Sequence, residues 1–228
     1  MLTHQHEKRS VWRFLRSGLN PNSKTLILAG MLLLAGNASL QTMDLPKPRT
    51  EGGKPLMQAL KERQSTREFS PQPLTSQQLS DLLWAAFGVN RPDGHRTAPS
   101  TMNLRAIDVY VGLTNGLFLY DADANALKPV SPEDIRPATG GQESLRAAPV
   151  ALIFVADESR MAKVAPAERE FYAAADTGYI SQNVYLFCAS EGLATVVHAV
   201  DKAALAKAMK LAPEKKVVLA QAVGHPKH

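Results

Sequence analysis

A single cysteine, Cys188, in 228 residues excludes an intrachain disulfide even in an oxidising compartment. With Leu186, Phe187 and Ala189 around it in a helical pattern, the thiol reads as a buried apolar group rather than a nucleophile. There is no Cys-x-x-Cys or His-x-x-x-His pair, and the six histidines are scattered, so no metal site is expected. Also missing are the Gly-x-x-x-x-Gly-Lys-Ser/Thr phosphate loop, the Gly-x-Gly-x-x-Gly dinucleotide fingerprint and the Gly-x-Ser-x-Gly nucleophile elbow. These absences speak against P-loop, Rossmann and serine-hydrolase chemistry. Asp176 and Glu191 are too far apart on one helical pattern for paired-carboxylate work.

Net positive charge is small once the first residues are set aside. Residues 1–38 hold five of the 26 basic and one of the 21 acidic residues, so the formal charge of +5 falls to +1 beyond them. The rest carries no long basic stripe, and a nucleic-acid partner is not expected. Within that leader, Lys8, Arg9, Arg13, Arg16 and Lys24 precede the apolar run "LILAGMLLLAG" and the small residues "GNAS". The pattern is that of a secretory signal with cleavage after Ala38, implying a periplasmic or secreted protein. Eleven apolar residues are short for a bilayer crossing, so an uncleaved N-terminal anchor is the lesser alternative and no stable span is expected after cleavage.

Beyond the leader, Ser39 to Lys54 is rich in proline and glycine without an apolar period and reads as a linker or extended arm. One domain is expected from Pro55 to His228, a length that buries a sizeable core. Pro55 suits a first helical turn, with Leu56, Met57 and Leu60 on one side of a short helix ending near Gln64. Thr75 and Gln78 have the spacing of a capping box, Leu79, Leu82, Leu83, Ala86 and Phe87 form the stripe behind it, and Gly88 is the stop. Ala106 to Leu113 alternates as a strand, a hairpin follows, and Pro149 to Asp157 is a continuous apolar run suited to burial on both faces. Glu168 to Glu191 is the longest helical pattern. After it come strand "LATVVHAV", a helix capped by Asp201, and strand "KVVLAQAVG". The expected class is α+β, with a mixed, mainly antiparallel sheet flanked by helices.

Two polar clusters flank the capped helix. In "RQSTREF", Arg63 to Phe69, two guanidinium forks bracket Ser65 and Thr66, a set suited to a phosphate. The alternative is a solvated turn in which the arginines pair with Glu62 and Glu68. In "HRTAPSTMN", His95 to Asn103, a proline fixes the backbone ahead of Ser100, Thr101 and Asn103, which read either as a capped turn or as a ligand-facing one.

The first cluster and its following helix, then "DTGYISQNVYLFCASEGLATVV" (Asp176 to Val197), then "AVGHP" (Ala222 to Pro226), occur in an order that resembles the nitroreductase family of flavin-dependent oxidoreductases, in particular its SagB-like dehydrogenase branch. The resemblance implies an interlocked homodimer binding FMN at the subunit interface, with NADH or NADPH as a possible donor and a small organic acceptor. It implies that Arg63, Gln64 and Ser65 hold the phosphate and ribityl chain and that Arg67 approaches the pyrimidine side of the ring. Pro99, Ser100, Thr101 and Asn103 would come from the partner chain. Val197, His198 and Ala199 would line the other face, the Ala199 N–H near flavin N5, and Lys227 is the basic residue left to reach the phosphate. No catalytic side chain is assigned. His198, where the family often has an acidic or small residue, either tunes the flavin or protonates substrate, or is a satisfied strand-end histidine. Two alternatives stand beside turnover of small molecules: a secreted flavin-binding module, and an azoline-type peptide dehydrogenase. The second is disfavoured by the absence of a Lys-Tyr dipeptide associated with it.

Overall fold

A computed structural model describes residues 40–140 and 143–227; the expected signal sequence lies outside the described residues. The strands are Met43–Asp44 (β1), Ile107–Leu113 (β2), Gly116–Asp121 (β3), Ala126–Ser131 (β4), Val150–Asp157 (β5), Ala194–His198 (β6) and Lys215–Gly224 (β7). The α-helices are Leu56–Glu62 (α1), Ser76–Phe87 (α2), Arg136–Thr139 (α3), Glu143–Arg146 (α4), Arg169–Glu191 (α5) and Lys202–Ala208 (α6).

The strands form one sheet in the order β1-β4-β3-β2-β5-β7-β6, and every pairing among them is antiparallel, so the mixed sheet expected from the sequence is more uniform than anticipated. β5, the unbroken apolar run, lies between β2 and β7 and is buried over all but its last residue. Its side chains alternate between faces. Leu152 and Phe154 meet Leu82, Leu83, Ile180 and Val184 of α2 and α5, whereas Ile153 and Val155 meet Leu205 and Met209 around α6. Two apolar clusters, one on each face, explain why this strand has no polar side.

Local chemistry sets the helix ends. Thr75 Oγ1 accepts from the Gln78 N–H at 3.1 Å while Gln78 Oε1 accepts from the Thr75 N–H at 2.9 Å, the reciprocal box expected. Asp201 accepts from the Ala204 N–H at 3.0 Å. Gly192 ends α5 in the left-handed conformation at φ +70°. Gly88 stops α2 for a different reason: its φ is −72°, but a Cβ there would lie 2.5 Å from the Trp84 ring.

Two expectations change. The fold begins at Leu40 rather than near Pro55, because the arm is built into it: β1 pairs with β4, Pro46 O accepts from Ser80 Oγ and Asn125 Nδ2, and Arg49 pairs with the buried Asp81 carboxylate at 2.7 Å. In α1 the buried residue is Ala59, whereas Leu56, Met57 and Leu60 are 62%, 75% and 44% exposed, so the expected apolar side faces outward.

Candidate functional site

Tyr185 organises the first polar cluster. Its ring, in the second half of α5, lies under the Arg63 guanidinium with 5.3 Å from Cζ to the centroid, a cation–π distance. Its hydroxyl accepts from the Val197 N–H at 2.9 Å and shares a 2.9 Å hydrogen bond with Ser65 Oγ. One buried tyrosine therefore joins the segment after α1 to the end of β6 through both ends of its side chain. The Thr66 N–H donates to Thr195 O at 2.9 Å, Phe69 bridges to Pro226, and the Lys227 N–H donates to Glu68 O at 3.3 Å. Arg63, Gln64, Ser65, Arg67, Val197, His198, Ala199 and Lys227 are thereby gathered along one edge of the sheet.

Arg63 is half-buried and has no carboxylate partner among the described residues. Glu62, its neighbour, is taken by Lys54 at 2.6 Å, which holds the Glu62 carboxyl below its ordinary range. The alternative of a turn in which these arginines pair with Glu62 and Glu68 is not what forms: among the described residues neither glutamate pairs with Arg63 or Arg67. Arg63, Gln64, Thr66, Tyr185 and Thr195 line a cleft of about 440 Å³. A cleft of about 590 Å³ between the arm, α1, α2 and α5 carries none of the expected site residues.

His198 closes β6. Burial lowers its pKa, an effect only partly offset by its bond to Ala199 O, so the imidazole is neutral at neutral pH. Nδ1 lies 3.3 Å from Ala199 O, while Nε2 is buried without a partner among the described residues. The expectation of a satisfied strand-end histidine is therefore corrected: half of the ring's hydrogen-bonding capacity is unused.

The second cluster stands elsewhere. The Thr101 N–H donates to both oxygens of Asp176 at 3.0 and 3.1 Å, and Thr101 Oγ1 to the same carboxylate at 3.0 Å. Asp176 is 2% exposed, and burial raises its pKa against the opposing pull of those bonds. Ser100 Oγ accepts from the Arg105 N–H at 3.1 Å. Pro99 and Asn103 are exposed. Asp176 and Tyr185 are nine residues apart on α5, about 13 Å along the axis, so one chain does not bring the two clusters together.

Three features of the two clusters were not anticipated. Met102, Asn103 and Arg105 all have left-handed backbones, with φ of +48°, +54° and +49°. For residues other than glycine this conformation is uncommon and persists where surrounding contacts hold it, here Asp176 and Ser100. Asp176 appeared only as a lone helical carboxylate, and Tyr185 as part of a helix stripe. A signal for Tyr185 was present: a buried tyrosine needs a partner for its hydroxyl.

The sequence pattern of the Nitroreductase family matches residues 60–225. A Methanocaldococcus jannaschii protein described as a "putative nitroreductase" is 32% identical over 165 residues, 68% of this chain and 83% of the relative. A crystal structure from Ralstonia eutropha with the same description is 43% identical, with a TM-score of 0.80 over 84% of this chain and 92% of that one. The NADPH:FMN oxidoreductase of Vibrio harveyi, solved with NAD+, is 20% identical, with a TM-score of 0.55 over 76% of this chain and 70% of that one, a likeness of fold alone.

Proposed function

The chain belongs to the nitroreductase family, and from that premise we propose that it is an FMN-dependent oxidoreductase that draws electrons from a nicotinamide donor and passes them to a small organic acceptor. The observation that carries this reading is the convergence on Tyr185: Arg63 and Ser65 are fixed beside the end of β6, and among the described residues Arg63 has no carboxylate to neutralise it. A half-buried guanidinium without a counter-ion, next to hydroxyls and a polar cleft, fits a phosphate-bearing cofactor. The Vibrio harveyi protein is described as using NADPH and FMN, which supports the same pairing here.

In this reading Arg63, Gln64 and Ser65 hold the phosphate and ribityl chain, with Lys227 carried alongside by its bond to Glu68. Exposed Arg67 favours negative charge on the ring. Val197, His198 and Ala199 line one face of the ring, and neutral His198 offers its unpartnered Nε2 without adding charge. FMN, when bound, supplies the two-electron chemistry; the protein supplies position and electrostatics.

The second cluster completes the site from another copy of the chain in an interlocked homodimer. Support comes from the outward stripe of α5 and its surroundings: Phe171, Tyr179 and Met102 are 70%, 51% and 60% exposed, and the apolar side of α1 is uncovered. Export rests on residues 1–38 alone, and cell fractionation tests it.

Anaerobic mixing of the FMN-loaded protein with NADPH or NADH tests turnover. Bleaching of the flavin absorbance, and its return on adding a nitroaromatic acceptor, is expected. If neither donor reduces bound FMN, the oxidoreductase reading fails and a flavin-binding module remains.

A further inference from the structure

β7 is longer than its outer neighbour. β6 pairs with it only over Ala220–Gly224, so the half from Lys215 to Leu219 pairs with β5 on one side and has no β6 residue on the other. Near this unmatched half lies a third cavity, of about 580 Å³, walled by the start of α5, by α6 and by the turn at Met161. The volume falls in the range of small-ligand sites, about 300–1,000 Å³.

Small side chains keep the space open. Ala173, Ala203 and Ala206 stand where larger residues would fill it, and Met161, Val217 and Val218 complete an apolar lining. Met161, Ala173, Val217 and Val218 are buried, and such a surface gains by exchanging water for an apolar occupant.

The charges around the lining do not balance. Lys202 pairs with Glu170 at 3.6 Å, and Lys215 is engaged by Asp108 and Asp157 at 2.6 and 3.1 Å. Arg169 and Lys216 have no carboxylate partner among the described residues; they donate only to backbone oxygens, Arg169 Nε to Val164 O at 3.2 Å and Lys216 Nζ to Pro213 O at 2.6 Å. Against these two cations stands one lining carboxylate without a cation, Glu158. The excess is a single positive charge.

We propose that this cavity binds a small amphipathic monoanion, its apolar body on the alanine-lined wall and its carboxylate among the cations of the rim. Ala173 is twelve residues from Tyr185 on α5, about 18 Å along the helix, so the cavity is distinct from the Arg63–Tyr185 cluster, and none of the residues expected to touch FMN lines it.

Calorimetric titration of the full chain, loaded with FMN, with sodium octanoate, 1-octanol and octylammonium tests this. Octanoate should bind saturably, once per chain, and at least tenfold more tightly than either comparator. Ala206→Phe should weaken octanoate at least tenfold by filling the cavity, and the double substitution Arg169→Glu with Lys216→Glu should reverse the preference toward octylammonium. Octanoate that does not saturate, that binds no better than octanol, or that is unaffected by both variants overturns the proposal. Should Ala206→Phe fail to fold, the charge-reversed protein, altered only at the rim, decides alone.

Discussion

The two polar clusters that flank α2 are alike in sequence and opposite in construction. The first is closed by its own chain: Tyr185 ties Ser65 to Val197 and stacks under Arg63, so helix, loop and strand fix one another. The second is anchored from behind, by the buried Asp176 carboxylate on Thr101, and shows its exposed residues outward. Of its three left-handed residues, Arg105 is tied back to Ser100 and Gly94, whereas Met102 and Asn103 are held in that conformation and exposed to solvent. That difference is what our proposal of a site shared between two copies of the chain expects: one half fixed by its own chain, the other turned outward.

Arg63→Ala should break the first half most severely. FMN affinity should fall roughly ten- to a hundredfold, the worth of one charge-assisted contact of about 1.5–3 kcal/mol. Fluorescence titration with FMN reads it directly, and unchanged affinity would move the phosphate elsewhere.

Asp176→Ala strikes the second half. It leaves the Thr101 N–H and hydroxyl without their acceptor, and stability should drop by about 1–3 kcal/mol in denaturant unfolding. If the second cluster meets the partner's cofactor, sedimentation should also show weaker dimers. A variant that keeps full dimer strength and full FMN affinity would remove the cluster from the site.

Tyr185→Phe is subtler. The ring stays under Arg63, but the Val197 N–H and Ser65 lose their link, so about 1–2 kcal/mol of stability should go and FMN affinity should fall less than in Arg63→Ala.

The smallest effect is in pH, where the two halves have opposite signs. The Asp176 pKa is raised, so between the ordinary carboxylate value and the folded one the native chain binds more protons than the unfolded, and stability falls as pH rises through that window. The His198 pKa is lowered, so below the ordinary histidine value the unfolded chain binds more protons, and stability rises with pH there. Asp176→Asn should flatten the first slope and His198→Gln the second; urea midpoints across the acid range separate them.

Much of this architecture was legible in the chain because its signals are local. The Thr75–Gln78 box, the Asp201 cap, the Gly192 stop and the apolar run of β5 each need only neighbouring residues to be read. The first cluster was legible for the same reason, two arginines and two hydroxyls in one heptapeptide. Contacts distant in sequence stayed hidden. Ser65 and Tyr185 are 120 positions apart and Thr101 and Asp176 are 75 apart, and no pattern within either segment announces its partner. The proline- and glycine-rich segment could be read only as a linker or an extended arm, because its order comes from Asp81, Ser80 and Asn125, not from a period of its own.

The central claim, that Arg63 and Ser65 beside Tyr185 hold an FMN phosphate, is tested most directly by equilibrium dialysis of the purified protein against FMN and against riboflavin, which lacks the phosphate. One FMN per chain and at least tenfold weaker riboflavin binding is the predicted result, with that preference lost in Arg63→Ala. Protein that takes up no FMN, or that binds riboflavin as tightly, contradicts it.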